Sequence, residues 1–176
     1  SNMNQSVRKL TISAMFLAVG IILPMAFHSF GPNAGATFLP MHLPVLLCGF
    51  LCGPAYGAFI GVLTPLLSSF LTGMPVLVPT GIAMVFELSC YGCLSGLLLK
   101  HCHLYVALIL TMLAGRIVNG IVNLILLSFM GKAYTLTIFL TVSFITAIPG
   151  ILLQLLLVPL LVKAITHFQQ HAKDDA

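Results

Sequence analysis

Apolar residues run along this chain in long blocks broken by short clusters of Gly, Pro and polar residues. The blocks show neither the two-residue alternation of a half-buried strand nor the single apolar stripe of a soluble helix. The first block is entered through Arg8 and Lys9 and ends before Gly31-Pro32-Asn33; a second, shorter one runs from Met41 to Gly53-Pro54. Two further breaks fall at Thr72–Thr80, with Gly73, Pro75 and Pro79, and at Lys100-His101-Cys102-His103, and a last one at Met130–Tyr134. A span of the hydrocarbon core takes about 20 residues. The pattern therefore predicts an all-α integral membrane protein, a bundle of six transmembrane helices near residues 8–28, 41–53, 56–71, 80–99, 103–129 and 135–163, forming a single transmembrane domain over residues 1–176.

Composition sharpens this. Hydrophobic residues make up 60% and charged residues 6% of the chain, with a mean hydropathy of +1.15, whereas a soluble domain carries about 25% charged residues. Too few polar side chains exist to cover a water-facing surface. Of the seven Lys and Arg residues, Arg8, Lys9, Lys100, Lys163 and Lys173 fall on one side of six spans and Lys132 on the other, with Arg116 within a span. The positive-inside rule then predicts cytoplasmic N and C termini, and outward-facing loops at His28–Pro40, Thr72–Thr80 and Met130–Tyr134.

The carboxylate count excludes most catalysis. Asp174 and Asp175 sit in the C-terminal tail, leaving Glu87 as the one acid within a span, so chemistry needing paired acids has no residues to run on. The chain lacks a Walker phosphate loop, G-x-S-x-G and H-E-x-x-H, and it reads as a non-enzyme that needs no cofactor and has no nucleic-acid surface. Cys48, Cys52, Cys90, Cys93 and Cys102 lie in or beside apolar runs, which suits small residues at helix contacts rather than a disulfide framework.

Small residues recur at four-residue spacing as Ala14/Ala18, Gly49/Gly53, Gly57/Gly61 and Gly92/Gly96, a signature of close helix approach. Charges in mid-span stand out more. An ionisable side chain in hydrocarbon must face the bundle interior or a wet cavity; Glu87 and Arg116 meet that condition, and could pair with each other. Arg116, Asn119 and Asn123 lie on one stripe of the fifth helix. At about 1.5 Å per residue, Asn123 and Glu87 lie roughly 9–12 Å below the external surface, Asn119 about 15 Å and Arg116 about 20 Å. These residues outline a polar cavity in the outer half of the membrane, floored by Arg116, or else a network that only ties two helices together. Gln154 lies deeper and suits a helix-to-helix hydrogen bond. His28 and His42 flank the first external loop and are candidate solute contacts. With no acidic neighbour in sequence they make no metal site.

The basic N-terminus leading into Ala14-x-x-x-Ala18, the run Leu43-Pro44-Val45-Leu46-Leu47-Cys48-Gly49-Phe50-Leu51-Cys52-Gly53-Pro54, Tyr56-Gly57, Thr72-Gly73-Met74-Pro75, Phe86-Glu87-Leu88 and Tyr91-Gly92 together resemble the substrate-binding S components of energy-coupling factor (ECF) vitamin transporters. The motifs cover most of residues 8–99; the second half matches by topology. The resemblance implies a high-affinity binding subunit of an ABC-type importer in the bacterial plasma membrane. Such a subunit takes up a small water-soluble vitamin or precursor and works with a transmembrane T component and two cytoplasmic ATPases. It also implies that Ala14 and Ala18 contact the T component, and that loops after the first, third and fifth helices close over a ligand lined by helices four to six. On that basis the substrate-binding candidates are Glu87, Asn119, Asn123, Arg116, His42, His28, Tyr91, Met74 and Tyr134. With no tryptophan present, Tyr91 and Tyr134 are among the aromatics left to stack on a ring. A stand-alone secondary transporter that uses Glu87 for proton coupling is the alternative, and a non-transporting scaffold a third.

Overall fold

The structure, a computed structural model, describes residues 2–174; Asp175, assigned above to the C-terminal tail, lies outside them. Among the described residues there are helices and no strands, and six helical segments are long and apolar enough to span a membrane. The elements are α1 Asn2–His28, α2 Ala34–Phe38, α3 His42–Cys52, α4 Pro54–Thr72, α5 Ile82–Leu99, α6 Leu104–Phe129, α7 Leu136–Leu140 and α8 Ile148–Asp174.

The short α3 is the axis of the molecule. It packs against α1, α4, α5 and α8, and Pro44 to Phe50 are buried throughout. A helix covered on every side has no lipid face, which is why its sequence is apolar all round rather than striped. Outward-facing apolar side chains such as Met15, Ile22, Phe59, Phe86, Ile117 and Leu156 are exposed on the surrounding helices, as expected where the solvent is hydrocarbon.

The α4–α5 pair is held backbone to backbone. A Cβ added at Gly57 would overlap the Gly92 carbonyl, one at Gly61 the Leu88 carbonyl, and one at Gly96 the Gly53–Pro54 backbone. The glycine pairs therefore serve internal packing. Gly53, with φ +95°, makes the tight corner between α3 and α4, a conformation that side-chain-bearing residues rarely adopt. Ala14 and Ala18, at the same spacing, are both exposed on the outside of α1.

Four boundaries differ from those predicted from sequence. Helix α1 starts at Asn2, six residues before residue 8. The segment expected to be loop between residues 28 and 41 contains the helical turn α2, which stops where Leu39 takes a left-handed conformation (φ 53°) just before Pro40. Ahead of α5, Leu77–Gly81 forms a widened, kinked turn in which Val78 is extended. The span expected as continuous over 135–163 is broken: α7 passes into the π-helical turn Thr141–Ile145, closed by a 2.8 Å bond from Thr146 N–H to the Thr141 carbonyl, and α8 then runs on to Asp174. Pro149 fits this break, since it has no N–H to give the Ile145 carbonyl and is readily accommodated in the first turn of a helix.

Candidate functional site

A cavity of about 290 Å³ opens among the irregular segments that follow α1 and α4 and the π turn. Its walls come from Pro24 and His28 at the end of α1, Pro32 to His42 around α2, Met74 and Pro75 in the loop after α4, Thr80, Met84 and Glu87 on the α5 side, Arg116 and Asn119 on α6, and Val142 and Ser143 in the π turn. The volume is near the lower end of the ~300–1,000 Å³ typical of small-molecule sites.

One wall is a satisfied polar pair. His42 Nε2 lies 2.5 Å from Glu87 Oε1, and both side chains are almost wholly buried. Position 42 opens α3 and position 87 lies in the middle of α5, so the contact fastens the central helix to the seam helix. The ring of Tyr91, one turn below Glu87, meets the His42 imidazole edge-on with centroids 5.5 Å apart. His42 Nδ1 is buried without a partner among the described residues.

The facing wall is less complete. Arg116 is buried, and its Nη1 donates a 2.6 Å bond to the Ser143 carbonyl, which the π turn presents toward α6. The guanidinium also lies 5.9 Å from the centroid of the Phe144 ring, a cation–π separation. Its Nε and Nη2 have no hydrogen-bond partner among the described residues. Asn123 Nδ2 donates to Asn119 Oδ1 at 2.8 Å, which occupies that acceptor of Asn119 and leaves its amide nitrogen as the donor end of the chain.

A third wall is fixed by hydroxyl groups at the end of α4. Ser68 Oγ donates to the Met74 carbonyl at 2.7 Å and Ser69 Oγ to the Pro75 carbonyl at 2.6 Å, while Met74 N–H donates to Thr72 Oγ1 at 3.2 Å. These bonds satisfy backbone groups that an apolar loop would otherwise leave unpaired at the membrane surface.

Of the residues singled out in the sequence, His28, His42, Met74, Glu87, Arg116 and Asn119 line this cavity. Three do not. Asn123 stands one turn above Asn119 and reaches the cavity only through that hydrogen bond. Tyr91 is completely buried beneath it, its hydroxyl 3.5 Å from the Met112 carbonyl and its ring filling the space left by Gly115. Tyr134 lies in a separate apolar groove with Leu136, Phe139 and Gly120; burial, and to a smaller degree the Glu87 carboxylate, pushes its phenol above the ordinary value.

Two pairings and one unmade bond differ from what the sequence offered. Glu87 pairs with His42 and not with Arg116, so His42 has the acidic neighbour that its surroundings in sequence did not reveal. Arg116 is held by a backbone carbonyl instead. Gln154, expected to bond between helices, is buried with neither amide atom partnered among the described residues.

Thr80 and Met84 were missed, although Thr80, Met84 and Glu87 follow i, i+4, i+7 spacing and so share a face. The walls from Pro32 to Met41 and at Ser143 carried no such signal. They depend on how α2 and the π turn fold back over the site.

A family model described as the ECF transporter substrate-specific component matches residues 8–162. The chain belongs to that family. No curated protein and no solved structure matches it significantly. This S component is accordingly a multi-pass protein of the plasma membrane and a transport subunit, whose family works with T and ATPase partners.

Proposed function

We propose that this S component is the high-affinity binding subunit for uptake of a small water-soluble vitamin or vitamin precursor, delivering it through a T component and two ATPases. The cavity carries the reading. A space of about 290 Å³ with an apolar lining and a few convergent polar groups, Glu87–His42 on one side and Arg116–Asn119 on the other, has the make-up of a small-molecule site. We further propose cytoplasmic termini, which would turn the cavity outward, and a T-component contact at Ala14 and Ala18, whose exposure on α1 leaves them open to another helix.

The test is native mass spectrometry of the purified subunit, followed by calorimetric titration with a vitamin panel. A copurified or added vitamin bound one to one supports the reading; an empty protein that binds none overturns it. For the partner face, Ala14→Leu or Ala18→Trp is expected to abolish uptake in cells with binding by the isolated subunit unchanged. Lost binding would show that these alanines matter within the subunit itself.

The buried Glu87–His42 pair favours one other reading, a self-sufficient carrier that moves protons through this pair. Uptake by proteoliposomes containing this chain alone, driven by a proton gradient without ATP, would establish it and sink the importer-subunit reading.

A further inference from the structure

The two polar walls of the cavity differ in their electrostatics. Glu87 and His42 satisfy each other. Arg116 has no such partner: among the described residues no carboxylate pairs with it, and one backbone carbonyl takes one of its donors. The donors left over are Nε and Nη2, which are adjacent on one edge of the planar guanidinium. Two parallel N–H groups on that edge match the two oxygens of a carboxylate. Asn119 stands one turn further along the same face of α6, and its Oδ1 is already taken by Asn123. The wall thus offers a fixed positive charge that no carboxylate among the described residues pairs with, while the carboxylate opposite is already hydrogen-bonded to His42.

We infer that the solute bound by this S component carries a single carboxylate, received by the Arg116 guanidinium with Asn119 beside it on the same wall. The inference rests on reading the cavity as the solute site. A carboxylate supplies the one negative charge that Arg116 lacks. A phosphate monoester would bring nearly two, against one unopposed guanidinium and with the Glu87 carboxylate across the cavity.

The experiment uses the parent subunit in lipid nanodiscs, titrated calorimetrically with compounds matched in all but the acid group. The pairs are pantothenate and pantothenol, nicotinate and nicotinamide, and biotin and biotin amide, run beside thiamine, riboflavin, pyridoxine and pyridoxal phosphate. Any copurified solute is identified by mass spectrometry. The expected result is that the bound compound is a carboxylate whose neutral counterpart binds roughly 10- to 150-fold more weakly, the range spanned by hydrogen bonds to charged groups. Arg116→Lys, which keeps the charge and loses the fork, is expected to narrow that gap; if this variant does not fold, the matched pairs on the parent decide. A neutral or phosphorylated compound that binds as tightly as any carboxylate, or a neutral copurified solute, overturns the inference and leaves the solute-binding reading standing. A subunit that carries and binds nothing overturns that reading, and the inference with it.

Discussion

The α4–α5 seam and the α6–π-turn wall face the same interior and are built in opposite ways. In the seam, glycines bring two backbones together and leave no room for a side chain at Gly57, Gly61, Gly92 or Gly96. Across the cavity, the backbone itself is interrupted at Thr141–Ile145, and a buried arginine bonded to that turn keeps two donors without a partner among the described residues. A seam without spare volume is rigid because packed interiors deform little. A wall with unused donors is a place where added matter can improve the energy. The division suggests a frame that holds Glu87 and His42 in register and a facing wall that responds to what enters.

Gly92→Leu is the hardest way to break the comparison. Its Cβ would overlap the Gly57 backbone, and neither helix can withdraw without opening the contact between α3 and α5. Overpacking typically costs about 1–3 kcal/mol, and an overlap with backbone on both helices belongs at the top of that range, so the variant is expected to be lost as aggregate in size-exclusion chromatography. A folded, ligand-binding Gly92→Leu protein would show that the seam is not a rigid frame.

Next in size is His42→Ala, which strands the Glu87 carboxylate among buried neighbours. Removing one partner of a buried pair typically costs about 3–5 kcal/mol, and here the solvent-accessible cavity places the effect toward the lower end. A large drop in thermal stability is expected, with binding lost in parallel. Glu87→Gln, which can still accept from the imidazole, is expected to recover much of the stability. If both variants melt with the parent, the pair does not fasten α3 to α5.

On the wall, the balance reverses. Asn119→Ala is expected to leave the melting temperature within a few degrees of the parent, since the side chain is only partly buried, and to weaken solute binding by about 5- to 150-fold, the effect of about 1–3 kcal/mol for an unmatched polar group on the ligand. Calorimetric titration with the solute found by the panel reads the second quantity and a thermal melt the first. Equal affinity would place the solute elsewhere.

How much of this was visible in the sequence follows the same division. Six spans were legible because lipid leaves the chain no alternative to long apolar helices, and Glu87 and Arg116 stood out because a charge within such a span needs a reason. The glycine spacing announced a close helix contact, but not which helices; Ala14 and Ala18 carry the same spacing and face outward. What spacing could not reveal was pairing between elements distant in the chain. His42 and Glu87 are 45 residues apart, and the Arg116–Ser143 bond depends on a carbonyl exposed by a π turn, for which side-chain identity gives no sign. Helix α2 was hidden for a related reason, because its Gly and flanking Pro residues signal a loop and its helical turn is imposed by packing against α8.

The smallest expected effect belongs to Asn123, and it separates orientation from contact. Its side chain does not line the cavity but donates to Asn119 Oδ1 at 2.8 Å. That bond fixes which end of the Asn119 amide is free to donate. Without it the amide can turn over and offer an oxygen to the solute, so part of the population presents the wrong group. Asn123→Ala is therefore expected to weaken binding by about 5-fold, corresponding to about 1 kcal/mol for one neutral hydrogen bond, with the melting temperature unchanged. Combining it with Asn119→Ala should add nothing further, because the residue it orients is gone. The double-mutant cycle read by calorimetry decides the point: additive losses would mean that Asn123 meets the solute directly and that the cavity extends a turn further toward the surface than the walls described here.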